Sequence, residues 1–172
     1  MANQTTYEDD ADIVASEAFI QLLKSGGTLG DAYWRTTTDE REALYQMAYG
    51  LYEQGRYSDA LKLFSSLVMQ DHHEPRYLFA LGSTCQVLGR HTDALQHYMA
   101  AAVENADDPL PIFHAAECLI AMHHFSEAID SLVLVIELCP DKQSALHNRA
   151  KVLLQGLQTA QQQTTGAQDE HL

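Results

Sequence analysis

A chain of 172 residues with 24 Asp and Glu against 10 Lys and Arg carries a formal net charge of −14. That length suits one domain with a substantial core, and that charge speaks against nucleic acid or an anionic membrane surface as a partner. No apolar run approaches the roughly 18 residues that a membrane span needs, and the N-terminus lacks the basic and apolar regions of a signal peptide, so a cytoplasmic location is expected. Cys85, Cys118 and Cys139 are odd in number and unpaired in spacing, which fits reduced thiols better than a disulfide framework.

Residues 1–7 are polar. From Glu8 to Lys24 the apolar residues Ile13, Val14, Ala18, Phe19, Leu22 and Leu23 recur at helical spacing and predict an amphipathic helix. Gly26-Gly27 ends it, because glycine accepts the left-handed conformation of a helix C-cap. A linker with Tyr33 and Trp34 follows. Residues 1–40 thus read as an N-terminal helical extension.

Thr37 and Glu40 have the spacing of a capping box and start the next helix, which is expected to run to about Glu53. The stretch Gly55-Arg56-Tyr57-Ser58-Asp59-Ala60-Leu61 then returns 34 residues later as Gly89-Arg90-His91-Thr92-Asp93-Ala94-Leu95, and again, more loosely, as His123-His124-Phe125-Ser126-Glu127-Ala128-Ile129. A period of 34 is that of the tetratricopeptide repeat, a pair of helices joined by a turn. Counting from Arg41, Pro75 and Pro109, position 8 is Ala48, Gly82 and Ala116, position 20 is Ala60, Ala94 and Ala128, and position 24 is Phe64, Tyr98 and Leu132. Small residues at 8 and 20 let paired helices approach, and bulky ones at 24 fill the space beside them.

The predicted fold is therefore all-α. Three tandem repeats, 41–74, 75–108 and 109–142, form a short right-handed superhelix. Their helices are expected at about 57–70, 75–87, 91–104, 109–121 and 125–138. Ala145, Leu146, Val152, Leu153 and Leu157 mark a capping helix over 143–163, since a solenoid needs its open end covered. Residues 164–172 read as a disordered tail.

The first helix of each pair should line the concave surface. Its positions 2, 5, 9 and 12 fall on one stripe. They are Glu42, Tyr45, Tyr49 and Tyr52, then Arg76, Phe79, Ser83 and Gln86, then Leu110, Phe113, Glu117 and Ile120. An aromatic stripe of few charges suits an extended apolar peptide, and packing against a neighbouring element is the competing use of the same rings. His114 and Glu117 have an i, i+3 spacing that could ligate a metal, yet no third ligand follows, and ordinary core or surface histidines are the expected reading. The chain has no glycine-rich phosphate loop, nucleophile elbow or Cys-x-x-Cys. Nothing points to an enzyme, and no metal or cofactor is expected.

Several runs together carry a more specific likeness. They are Leu22-Leu23-Lys24-Ser25-Gly26-Gly27-Thr28-Leu29, Leu44-Tyr45-Gln46-Met47-Ala48-Tyr49-Gly50-Leu51-Tyr52, Ala80-Leu81-Gly82 and, above all, Phe113-His114-Ala115-Ala116-Glu117-Cys118-Leu119. From about residue 13 to about 140 the chain resembles the class II chaperones of bacterial type III secretion, which hold translocator (pore-forming) proteins before export. The resemblance implies a bacterial cytoplasmic chaperone that uses no ATP. It implies a concave groove for an extended N-terminal segment of the translocator, with Tyr45, Tyr49, Tyr52, Phe79 and Phe113 at the matching positions and Arg76 on the same stripe. It implies a homodimer formed through the N-terminal region, where Ile13, Phe19, Leu22 and Leu23 are the expected contact residues, and it allows a transcriptional activator as a further partner. His123 stands where the repeat consensus has glycine.

Two other readings remain open at this point. A general peptide-binding adaptor that clamps an acidic C-terminus needs Lys and Asn at inward positions, where Tyr45, Tyr49, Leu110 and His114 stand instead. A structural oligomerisation module would bury the aromatic stripe under a second subunit.

Overall fold

The computed structural model describes residue 24, residues 36–139 and residues 141–169. Seven helices follow one another there: α1 (Thr38–Glu53), α2 (Tyr57–Gln70), α3 (Pro75–Val87), α4 (His91–Glu104), α5 (Pro109–Ala121), α6 (Phe125–Leu138) and α7 (Ala145–Asp169). Each packs on its neighbours in sequence, and α1 also touches α3. Short turns between successive helices make those neighbours antiparallel, and helix pairs in series stack into a solenoid. The amphipathic helix expected over 8–24, with Ile13, Phe19, Leu22 and Leu23, lies outside the described residues.

Local chemistry explains where the helices begin. Thr37 caps α1: its hydroxyl accepts from the Glu40 amide at 3.2 Å, and the Glu40 carboxylate accepts from the Thr37 amide at 2.8 Å. Those bonds satisfy donors that a helix start leaves orphaned. Glu74 and Asp108 do the same for α3 and α5, accepting from the amides of Arg76 and Leu110. Pro75 and Pro109 sit just inside, where a missing N–H costs nothing.

The turn inside each pair is a left-handed cap. Gly55 and Gly89 have φ of 75° and 74°, and His123 adopts 64° at the same place in the third pair. The next amide reaches back to close each turn: Arg56 to Leu51, Arg90 to Cys85 and His124 to Leu119, all at 2.9 Å. This is the Schellman arrangement. His123 pays steric strain that glycine avoids.

The core follows the 34-residue columns. Ala48 and Ala116 at position 8, Ala60, Ala94 and Ala128 at position 20, and Leu67, Ala101 and Val135 at position 27 are wholly buried. Phe64, Tyr98 and Leu132 fill the space beside them. At Gly82 the approach is so close that a Cβ would meet the Tyr98 ring at 2.9 Å.

Two findings differ from the sequence expectation at the C-terminal end. α7 runs to Asp169, past the boundary expected at 163, so residues 164–169 are helical rather than part of a loose tail. No proline interrupts this Gln- and Ala-rich stretch, and a lone Gly166 costs a helix only about 1 kcal/mol. Moreover, α7 keeps the repeat register. Leu146, Ala150 and Leu153 lie 34 residues after Ile112, Ala116 and Leu119. Ala150 is fully buried in a cluster with Phe113, Leu132 and Val135, and Leu146 and Leu153 pack against that cluster. The cap thus keeps the register of the first helices of the pairs before it.

Candidate functional site: an aromatic groove

The stripe of α1 comes together with that of α3. Tyr45 stacks on Tyr49 at 6.4 Å between ring centres and meets Phe64 edge-on at 5.7 Å. Tyr52 meets Tyr57 edge-on at 5.2 Å. From the other side Phe79 packs on Tyr98 at 5.4 Å and on His114 at 5.5 Å. Between them lies a cavity of about 330 Å³ lined by Tyr45, Tyr49, Tyr52, Phe64, Phe79, Ala80, Ser83 and His114. Its floor is the buried Phe64, and its lip is Tyr49, which is 45% exposed. Offset and edge-on ring contacts of this kind are favourable, so the rings hold one another in place while leaving apolar faces open. Burial pushes the Tyr45 and Tyr52 phenols up, and these groups stay neutral at physiological pH.

Arg76 closes one end. Its guanidinium lies over the Tyr45 ring at 5.4 Å and the Tyr77 ring at 5.8 Å. It also bonds Glu74 at 3.1 Å and Glu42 at 3.3 Å. The two carboxylates hold the charge on, raising its already high pKa. A smaller cavity of about 190 Å³ opens beside it, between Tyr45, Phe79, Asn105 and Leu110.

A polar chain runs along the far side. The Tyr98 hydroxyl donates to Gln86 Oε1 at 2.7 Å, and Gln86 Nε2 donates to Glu117 Oε2 at 3.3 Å. His114 Nδ1 lies 2.9 Å from the same oxygen, and Arg149 of α7 donates to Glu117 Oε1 at 3.1 Å. Burial alone would raise the Glu117 carboxyl. The His114 hydrogen bond and charge, with Gln86 and Arg149, outweigh it and hold the group below its ordinary value. His114 itself stacks on Tyr98 at 5.4 Å, with the rings only 22° from parallel. Among the described residues no group of three or more His, Cys, Asp or Glu side chains is placed to hold a metal, and the i, i+3 spacing of His114 and Glu117 is spent on their hydrogen bond. The cysteine thiols at 85 and 118 are buried, and burial raises Cys118 to about 11, which leaves it an inert apolar side chain.

Of the residues picked by spacing, Tyr45, Tyr49, Tyr52 and Phe79 share the aromatic cavity, and Arg76 stands at its end. Phe113 does not line it. Its ring is fully buried in the cluster under α7, with the Arg149 guanidinium 4.6 Å above it. The residue after it, His114, takes the place on the groove wall. Phe64 and Ala80 also contribute, although the column of Phe64 reads as core from the sequence. Two helices that meet at an angle leave a core ring such as Phe64 showing at the bottom of the cleft between them. From the sequence His114 reads as an inward-facing residue with metal-type spacing to Glu117, not as a wall of the aromatic cavity.

The tetratricopeptide repeat family model matches residues 42–71. The Low calcium response locus protein H of Yersinia pestis is 35% identical over 142 residues, covering 83% of this chain and 82% of that protein. Among solved structures, the Yersinia enterocolitica type III secretion chaperone SycD in complex with a peptide of the translocator YopD is 33% identical with a TM-score of 0.70, covering 73% of this chain and 97% of that one. PcrH in complex with the chaperone-binding region of PopD is 31% identical with a TM-score of 0.70, covering 73% and 96%.

Proposed function

Since this chain belongs to the family of type III secretion translocator chaperones, we propose that it binds an extended N-terminal segment of a translocator in the groove between α1 and α3. The observation that carries the reading is the preformed cavity of about 330 Å³ walled by Tyr45, Tyr49, Tyr52 and Phe79. A translocator carries membrane-seeking segments that aggregate in water. An acidic carrier that covers one apolar segment keeps it dispersed until export, and docking an extended peptide on preset aromatic walls needs no nucleotide. The work is binding rather than catalysis, and it belongs in the bacterial cytoplasm; among the described residues no helix is long and apolar enough to cross a membrane. Ile13, Phe19, Leu22 and Leu23 are the residues proposed to join two copies into a homodimer.

The test is co-expression with candidate translocators of the same organism. Tyr49→Ser together with Tyr52→Ser removes open aromatic surface but no fully buried ring. Loss of at least tenfold in client recovered with the chaperone, at unchanged helical content, is expected; undiminished recovery would place the client elsewhere. A size measurement of Leu22→Glu/Leu23→Glu reads the dimer separately.

A further inference from the structure

We propose that the groove has a second, chemically different subsite between α5 and α7 that takes an acidic side chain of the same client segment. The inference rests on the groove reading above and adds to it the charge and direction of the ligand.

The subsite is a cavity of about 380 Å³ lined by Glu117, Asn148, Arg149, Val152 and Leu153. It joins the aromatic cavity through two contacts: His114, which lines the first cavity, bonds Glu117, and Glu117 bonds Arg149. A peptide leaving the aromatic end along the polar chain therefore arrives at Arg149. The guanidinium there is already oriented. Phe113 supports it from below at 4.6 Å and Glu117 holds one of its N–H groups. Arginine has five such donors in a rigid fork, Glu117 is its one polar partner among the described residues, and the Arg149 side chain is itself 58% exposed, so the open edge of the fork is accessible to a ligand. Exposed Val152 and half-buried Leu153 give an apolar wall beside it.

Charge distribution singles out this end. The whole chain is strongly acidic, yet from Lys142 to Gln168 it has no Asp or Glu, and α7 carries Arg149 and Lys151. A carboxylate on the client is repelled along the rest of the molecule and attracted here. The opposite end of the groove is built the other way: Arg76 is held between Glu42 and Glu74, leaving net negative charge. A segment with an apolar anchor in the aromatic cavity and an acidic residue beyond it thus has one favoured direction. Glu117 opposes the incoming charge, but His114 and Gln86 share its second oxygen, so the gain is modest rather than absent.

The test uses fluorescein-labelled synthetic peptides on the full-length chain, read by anisotropy. Each peptide has one fixed leucine anchor, a Ser/Gly background, and Glu, Gln or Lys at one position scanned on either side of the anchor. The expected result is that Glu binds about fivefold tighter than Gln at positions on one side only. Arg149→Gln should erase that preference, Asn148→Asp should reduce it without touching the Phe113 support, and added salt should weaken it. Tyr49→Ser should weaken every peptide alike. Equal binding of Glu and Gln peptides at all positions, with the Tyr49→Ser loss intact, would overturn the second subsite and leave the groove reading standing. No peptide bound, or no loss in Tyr49→Ser, would overturn both.

Discussion

α1 and α5 occupy the same place in their repeats, and the 34-residue columns assign them the same faces. Their surroundings differ. In α1 only Ala48 is buried, whereas α5 buries Pro109, Pro111, Ile112, Phe113, Ala115, Ala116, Cys118 and Leu119. Position 5 shows the consequence: Tyr45 stays on the groove wall, while its counterpart Phe113 is sealed under α7. Position 7 shows it again, with Met47 61% exposed and Ala115 wholly buried. Identical register therefore sets which way a side chain points, and the neighbouring helix sets whether anything else can reach it. Among the described residues, α1 keeps its aromatic stripe open, while α5, covered by α7, spends the same column on cohesion.

The largest effect that would sharpen this contrast is at Phe113. Phe113→Ala should cost about 3–5 kcal/mol, because a fully buried ring leaves a cavity. Tyr49→Ala on α1 should cost well under 1 kcal/mol, since the ring is nearly half exposed. Urea unfolding of the two variants measures the difference, and equal losses would break the comparison. Next comes Gly82→Ala, where the new Cβ presses on the Tyr98 ring; overpacking of about 1–3 kcal/mol is expected. Ala48→Gly at the same column of α1 should lose about 1–2 kcal/mol, from helix propensity and from the loss of a fully buried methyl.

The turns offer a smaller effect of opposite sign. His123→Gly should stabilise the third repeat by about 0.5–1 kcal/mol by relieving a left-handed residue, while Gly89→Ala should destabilise the second by about 1 kcal/mol. Thermal melts of both variants check the pair.

The part of the acid response that comes from partly buried groups should be carried by α4 and α5. Burial lowers His97 from its ordinary 6.5. A lowered pKa means that the folded chain binds fewer protons than the unfolded one, so stability falls as pH drops below about 6.5. Glu117, lowered from 4.5, adds a second loss below that value. Denaturant midpoints measured against pH should decline in two stages. His97→Gln should flatten the first and Glu117→Gln the second; a variant profile that overlays the parent would refute the corresponding assignment.

Six of the seven described helices and several of their caps could be read from the chain because they depend on local rules. Thr37 with Glu40, glycine at 55 and 89, and proline at 75 and 109 act through bonds to residues within a few positions. The columns of Ala60, Ala94 and Ala128 likewise needed only the period. Most of the aromatic cavity was legible for the same reason: Tyr45, Tyr49, Tyr52 and Phe79 follow helical spacing along two adjacent first helices. What only the tertiary structure decided is which side chains the neighbours cover. The burial of Phe113, the promotion of His114 to the groove wall, the placement of the buried Phe64 at its floor and the link from Glu117 to Arg149 all depend on how far one helix stands from the next. Helical periodicity fixes an angle around one axis; it carries no information about the distance to a second axis, and burial is decided by that distance.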